Sequence, residues 1–120
     1  MQKSKPDIKL RSYRFALSII KLVDSLSHCR ANLVIGDQVL RSGTSVGANI
    51  IEAQAASSRR DFKNFLNHSL KSANETKYWL ALLRDSGKKS RDEIDPLLKE
   101  AKELANILAS SILTLKKKDD

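Results

Sequence analysis

Apolar residues return along the chain with the 3.6-residue period of an α-helix, in four stretches parted by short polar breaks. From about Leu10 to Ser27 the stripe is Phe15, Ile19, Leu22 and Leu26. A second stripe of Ala16, Ile20 and Val23, flanked by Tyr13 and Leu17, lies beside it, and Arg14, Ser18, Lys21, Ser25 and His28 crowd into the narrow sector that is left. The second stretch, about Leu33 to Ala56, is doubled in the same way. Ile35, Val39, Val46, Ile50 and Ala53 make one face, and Leu33, Leu40 and Ile51 the next. The third and fourth stretches are one-sided. Between Asp61 and Arg84 the stripe is Phe62, Phe65, Leu66, Ser69, Ala73, Thr76, Leu80 and Leu83, with Lys63, Asn64, Asn67, Lys71 and Asn74 largely away from it. Between Arg91 and Leu115 it is Ile94, Leu97, Leu98, Ala101, Leu104, Ala105, Leu108, Ile112 and Leu115, opposite Lys99, Lys102, Glu103, Asn106 and Ser110.

The breaks carry the chemistry of helix ends. Ser90 and Glu93 match a capping box for the fourth helix, and Asp95-Pro96 offers an alternative start one turn later. Ser57 or Ser58 can cap the third, with Asp61 in its first turn, and Asp85-Ser86-Gly87 reads as its stop. Short connections make consecutive helices antiparallel neighbours, so the predicted fold is an all-α, up-down-up-down four-helix bundle. One domain spans 1–120, with short basic tails at about 1–9 and 116–120. A lone four-helix bundle asks each helix to hide one stripe. The doubled stripes leave apolar area over, which predicts a homo-oligomer whose subunits meet through helices one and two. The alternative is that these two are the more deeply buried pair of a monomer.

Composition narrows the function classes. With 41% apolar residues, 5% aromatics, four Gly and two Pro, the turn-rich chemistry of a β-sandwich is absent. No apolar run nears the ~20 residues of a membrane span and no signal-like segment opens the sequence, so a cytoplasmic protein without membrane association is expected. The single cysteine, Cys29, suits a reducing compartment. His28 and His68 fall on different segments, Glu-x-x-His spacing does not occur, and the carboxylates are interleaved with Lys and Arg. No catalytic set, metal site or cofactor site assembles, and the chain is not expected to be an enzyme.

Charge adds a positive clue. The net charge is +8, and in an up-down-up-down bundle the chain start, the second connection and the chain end share one pole. Lys3, Lys5, Lys9, Arg11, Arg14, Arg59, Arg60, Lys63, Lys116, Lys117 and Lys118 collect there, half of the 22 basic residues, against Asp7, Asp61, Asp119 and Asp120. Such a pole predicts sequence-independent, salt-sensitive binding of RNA or DNA phosphates through Arg11, Arg14, Arg59, Arg60, Lys63, Lys116, Lys117 and Lys118. The competing reading is a protein-interaction scaffold with solvating tails, whose charge is incidental. Tyr78-Trp79 offers a surface on which a base could stack, although the plainer reading has Trp79 filling a packing interface.

The run from Arg41 to Glu52 is the most unusual in the chain. Gly43 and Gly47 inside a helix cost about 1 kcal/mol each relative to Ala, which close approach of another helix would offset. A phosphate loop is disfavoured, since no Lys-Ser or Lys-Thr pair follows and no strand precedes. Gln38, Arg41, Ser45, Asn49 and Glu52 share a sector of roughly 80°. They read as a hydrogen-bond network at a helix or subunit junction, in which Arg41 and Glu52 find opposite charges on neighbouring helices. A nucleotide or phosphate site is the alternative.

The run Arg41-Ser42-Gly43-Thr44-Ser45-Val46-Gly47-Ala48-Asn49-Ile50-Ile51-Glu52-Ala53, then Asp61-Phe62 and Ala73-Asn74-Glu75-Thr76-Lys77-Tyr78-Trp79-Leu80, resembles a bacterial protein family. Its members are four-helix-bundle proteins encoded in intervening sequences of large-subunit ribosomal RNA genes, and the likeness covers nearly the whole chain. The resemblance implies an antiparallel bundle, ring-like homopentamers and an RNA- or ribosome-associated role. A related branch, the accessory proteins of diversity-generating retroelements, binds nucleic acid and partners a reverse transcriptase. It implies a further alternative, an accessory subunit that presents nucleic acid to a polymerase. No catalytic residues or cofactors come with the resemblance. The family's recurrent polar positions correspond to Arg41, Ser45, Asn49, Glu52 and Glu75; Ser72 departs from a more usual acidic residue, and Ala53 from a frequent Gly.

Overall fold

A computed structural model describes residues 7–119, and these form four α-helices with no strand among them. They are α1 (Ile8–Asp24), α2 (Arg30–Gln54), α3 (Arg59–Asp85) and α4 (Arg91–Asp119). Each helix packs on the next in sequence and α4 returns to α1 along the slimmest seam, so α1 stands diagonally opposite α3 and α2 opposite α4. The result is the expected antiparallel bundle, with extents of 49 × 35 × 21 Å.

The helix ends follow local chemistry, with shifts of a turn or less from the periodicity. α1 starts at Ile8, two residues before its apolar pattern, and is capped by Asp7, whose side chain accepts from the Leu10 N–H at 3.2 Å. α2 likewise starts before Leu33, at Arg30, and buried Asn32 secures the preceding turn by donating to the Ser27 carbonyl at 2.9 Å. Ser58 is the cap of α3, accepting from the Asp61 N–H at 3.1 Å, while Ser57 donates to the Asp61 carboxylate. Of the two starts open to α4, Ser90 is used: its hydroxyl accepts from the Glu93 N–H at 3.3 Å, and Pro96 is carried inside the helix. Gly87, at φ 77°, ends α3 in a Schellman motif, with Lys88 N–H bonded to Leu83 O and Gly87 N–H to Arg84 O.

The core is the set of stripes read from the periodicity. Phe15, Ile19 and Leu22 of α1, Leu26 just past its end, Val39, Val46, Ile50 and Ala53 of α2, Leu66, Ala73, Leu80 and Leu83 of α3, and Ile94, Ala101, Leu104, Leu108 and Ile112 of α4 are buried together. Small polar residues join them between α2 and α3. The Ser69 hydroxyl donates to Val46 O at 2.7 Å, and the Thr76 and Ser42 hydroxyls bond to each other at 2.9 Å, so these buried groups stay satisfied.

α1 and α2 meet over glycine. A Cβ on Gly43 would lie 2.9 Å from Cγ1 of buried Ile19, and one on Gly47 3.2 Å from Oγ of buried Ser12. The close approach expected at these two glycines is therefore made by α1. The second stripes of these helices divide: Val23 and Leu40 pack against the core, and Ile20, Leu33 and Ile51 stay exposed. Among the described residues, seven of the nine exposed large apolar side chains are Leu10, Tyr13, Leu17 and Ile20 of α1 and Leu33, Val34 and Ile51 of α2. Within one chain part of each second stripe is thus left uncovered.

Candidate nucleic-acid interface

The start of α1, the end of α2, the start of α3 and the end of α4 converge at one pole. Ile8, Gln54, Phe62 and Leu115, one from each helix, line a common cavity of about 400 Å³ there. Beside it, a groove of about 210 Å³ runs between α3 and α4. Arg60, Lys63, Asn64 and Asn67 form one wall, and Ile112 and Lys116 the other. Arg59, Arg60, Lys116, Lys117 and Lys118 are exposed, as is Arg14 two turns along α1.

Three of the expected features change. The lysines Lys116, Lys117 and Lys118 are not a tail: α4 continues through them to Asp119. Their charges sit at the negative end of the α4 dipole, where cations are favoured, so the last turn of the helix gives a basic surface a fixed direction. The N-terminal tail is also shorter than about 1–9, because α1 begins at Ile8, and Lys3 and Lys5 lie outside the described residues. Arg11 is directed elsewhere. Its guanidinium bonds to Glu100 at 2.5 Å and to Glu103 at 3.1 Å across the α1–α4 seam, and the Glu100 hydrogen bond raises its pKa further. An arginine held by two carboxylates is a seam-closing residue, and its charge is already balanced.

The polar strip of α2 divides. Arg41 reaches α3, pairing with Glu75, and also donates to Gln38 at 2.8 Å. Glu75 accepts a second bond from Trp79 Nε1–H at 2.9 Å, and this bond, ahead of those from Arg41, holds its carboxyl below the usual range. Ser45 and Asn49 turn back onto their own helix, donating to Arg41 O and Ser45 O. Glu52 is exposed and makes no side-chain bond among the described residues, so the partner expected for it on a neighbouring helix is not found there. What remains is a clasp of Gln38, Arg41, Glu75 and Trp79 between α2 and α3. Tyr78 packs edge-on against Trp79, ring centroids 5.0 Å apart, and stands 59% exposed. Sequence reasoning placed Arg41 and Glu75 in a network but missed Trp79 as its third member; the Glu75–Trp79 spacing of one helical turn was the available signal.

Among the described residues no group of three His, Cys, Asp or Glu is placed to hold a metal ion, and no helix is long and apolar enough to cross a membrane. The pole can attract polyanions, and the α2–α3 clasp can fix two helices and brace an exposed ring.

Comparison with known proteins gives a family and solved structures. Residues 5–110 match the family model described as 23S rRNA-intervening sequence protein. No curated protein matches the chain. A crystal structure of a protein of unknown function from the S23 ribosomal protein family of Bacteroides thetaiotaomicron is 43% identical to it, with a TM-score of 0.83. The alignment covers 88% of this chain and 97% of that one. The chain is therefore a member of the 23S rRNA-intervening sequence protein family.

Proposed function

We propose that this protein is a non-catalytic, cytoplasmic homo-oligomer that binds RNA through its basic pole. The observation that carries the reading is the α3–α4 groove, where the basic residues Arg60, Lys63 and Lys116 converge. Three neighbouring features support it. Lys117 and Lys118 extend the same surface on a rigid helix, the N-terminus of α3 turns its positive dipole end toward the pole, and the family is named for ribosomal RNA. Exposed apolar side chains on α1 and α2 support assembly, with five subunits as the family resemblance implies. The conspicuous polar residues of α2 and α3, Arg41, Glu75 and Trp79, bond to one another and join helices, which is a structural use and not a catalytic one.

Fluorescence anisotropy with labelled RNA at rising salt tests this. Affinity should fall steeply with salt, with a slope near −0.7 per phosphate contacted if the RNA is single-stranded, as expected for counterion release (about this value per contact). Alanine at Arg60, Lys116, Lys117 and Lys118 should weaken binding and flatten the slope. No binding at low salt would remove the nucleic-acid reading in favour of a scaffold, for which the uncovered α1–α2 face is the specific supporting feature.

A further inference from the structure

α3 carries an exposed stripe that neither the bundle core nor the α2–α3 clasp uses. Arg60, Asn64, Asn67, Lys71, Asn74 and Tyr78 follow one another at steps of four and three residues, and all six are exposed. At 100° per residue they stay within an arc of roughly 80°, and at 1.5 Å per residue they extend for about 27 Å. No hydrogen bond or ion pair within the described residues involves any of the six. Some polar side chains elsewhere are engaged, Arg11, Arg41, Arg84 and Lys89 in ion pairs and Ser45 and Asn49 with their own helix, and others such as Glu52 and Asn106 are not; what sets the stripe apart is six such residues in one line. The carboxylate nearest the arc, Glu75, is turned onto Arg41 and Trp79, and the next along it, Asp85, pairs with Arg84 where the helix ends.

The residue types are also informative. Exposed helix positions are usually filled by strong helix formers, and Asn is a weak one. Three asparagines on one exposed face, none bonding within the chain, weaken the helix without any return inside it. An amide does offer a donor and an acceptor side by side, suited to base edges and ribose hydroxyls. At one end of the stripe stands the basic groove, and at the other Tyr78, its ring braced on Trp79, which Glu75 and Arg41 hold in turn. Cations, amides and a supported aromatic ring in one line are the elements of a single-strand track.

We infer that the outer face of α3 is a binding track for single-stranded nucleic acid, entered from the basic pole and ended by base stacking on Tyr78. This rests on the nucleic-acid reading of the pole and adds to it the form of the ligand. Duplex fits poorly: base edges in an A-form helix are out of reach of a single helix face, and paired bases have no open ring for Tyr78.

The test uses the full chain with an RNA of about twelve nucleotides, single-stranded or paired with its complement, and a DNA strand of the same sequence, a length within the usual range of single-strand sites. Anisotropy measures affinity, and quenching of Trp79, the one tryptophan, reports a base arriving at Tyr78. Single strands should bind at least fivefold tighter than duplex, with Trp79 quenched; the ratio of RNA to DNA affinity separates ribose contacts from contacts common to both. Tyr78→Ala should lose several-fold in affinity and the quenching, at an unchanged salt slope, and Tyr78→Phe should restore both. The triple change Asn64→Ala, Asn67→Ala and Asn74→Ala should also weaken binding, and since Ala favours helix, unfolding curves will show the fold intact. If these variants bind as the parent does while alanine at Lys116, Lys117 and Lys118 abolishes binding, the track is overturned and the pole stands. If duplex binds as tightly as single strand, the track is overturned as well. Failure of the parent protein to bind any strand at low salt removes both.

Discussion

Gly43 and Gly47 stand one turn apart on α2 and face the same helix, yet their neighbours differ in what they can yield. The Gly43 position looks onto Ile19, with Cγ1, Cγ2 and Cβ at 2.9, 3.0 and 3.3 Å from an added Cβ. Ile19 is fully buried and branched at Cβ, so it has no spare rotamer and no space to retreat. Gly43→Ala should cost about 1–3 kcal/mol in overpacking, reduced by about 1 kcal/mol of helix propensity, for a net loss. The Gly47 position meets a serine hydroxyl at 3.2 Å and otherwise ordinary contacts. There the propensity gain offsets the crowding, and Gly47→Ala should stay within about 0.5 kcal/mol of the parent. Urea unfolding of the two variants side by side checks the pair. The glycines were visible in the sequence as costly residues in a helix, but the difference between them was not. It depends on which residue of α1 lies opposite, and antiparallel register is a tertiary fact.

At the scale of elements, the clasp between α2 and α3 has a pH signature. Trp79 and Arg41 both bond to the ionised form of Glu75 and lower its pKa. A carboxylate lowered in the folded state contributes stability that is complete above its unfolded value, ordinarily 4.5, and is lost as the pH falls through the folded value. Because Arg41 and Glu75 are 54% and 37% exposed, the ion pair itself is worth at most about 1 kcal/mol. Trp79 fluorescence should therefore change on acidification below pH 4.5 with little loss of helicity. Glu75→Gln should remove that acid change and lower stability by about 0.5–1.5 kcal/mol, the worth of a hydrogen bond or two. Helices as elements were almost wholly legible, since stripes such as Leu80-Leu83 and Leu104-Leu108 and caps such as Ser58, Ser90 and Gly87 are local signals. The misreadings came where local signals stop. The apolar pattern fades at Leu115, yet Lys116–Lys118 propagate α4 because lysines favour a helix C-terminus. Arg11 looked like a pole cation because Glu100 and Glu103, its partners, are 89 and 92 residues away in sequence.

For the molecule as a whole, the basic pole and the apolar flank impose opposite responses to salt. Tyr13, Ala16, Thr44, Ala48 and Ile51 line a shallow cavity of about 240 Å³ between α1 and α2, and Leu17, Ile20 and Leu33 lie exposed on the same two helices. A stable interface hides about 800 Å² per partner, which is near a tenth of the 7863 Å² surface of this chain. The flank supplies the apolar side chains for such a contact, while each copy brings a charge of +8 that repels the next. Added salt screens that repulsion and leaves apolar burial intact, so assembly should strengthen from about 0.05 to 0.5 M salt over the range in which phosphate binding collapses. Light scattering at micromolar concentration should give a mass several times the 13.4 kDa of one chain, rising with salt toward a limit. Leu17→Glu with Ile51→Glu should return it to 13.4 kDa at unchanged helicity, because both side chains are already exposed in the single chain. A parent protein that stays at 13.4 kDa at every salt concentration would show that α1 and α2 keep their apolar flank for a different partner.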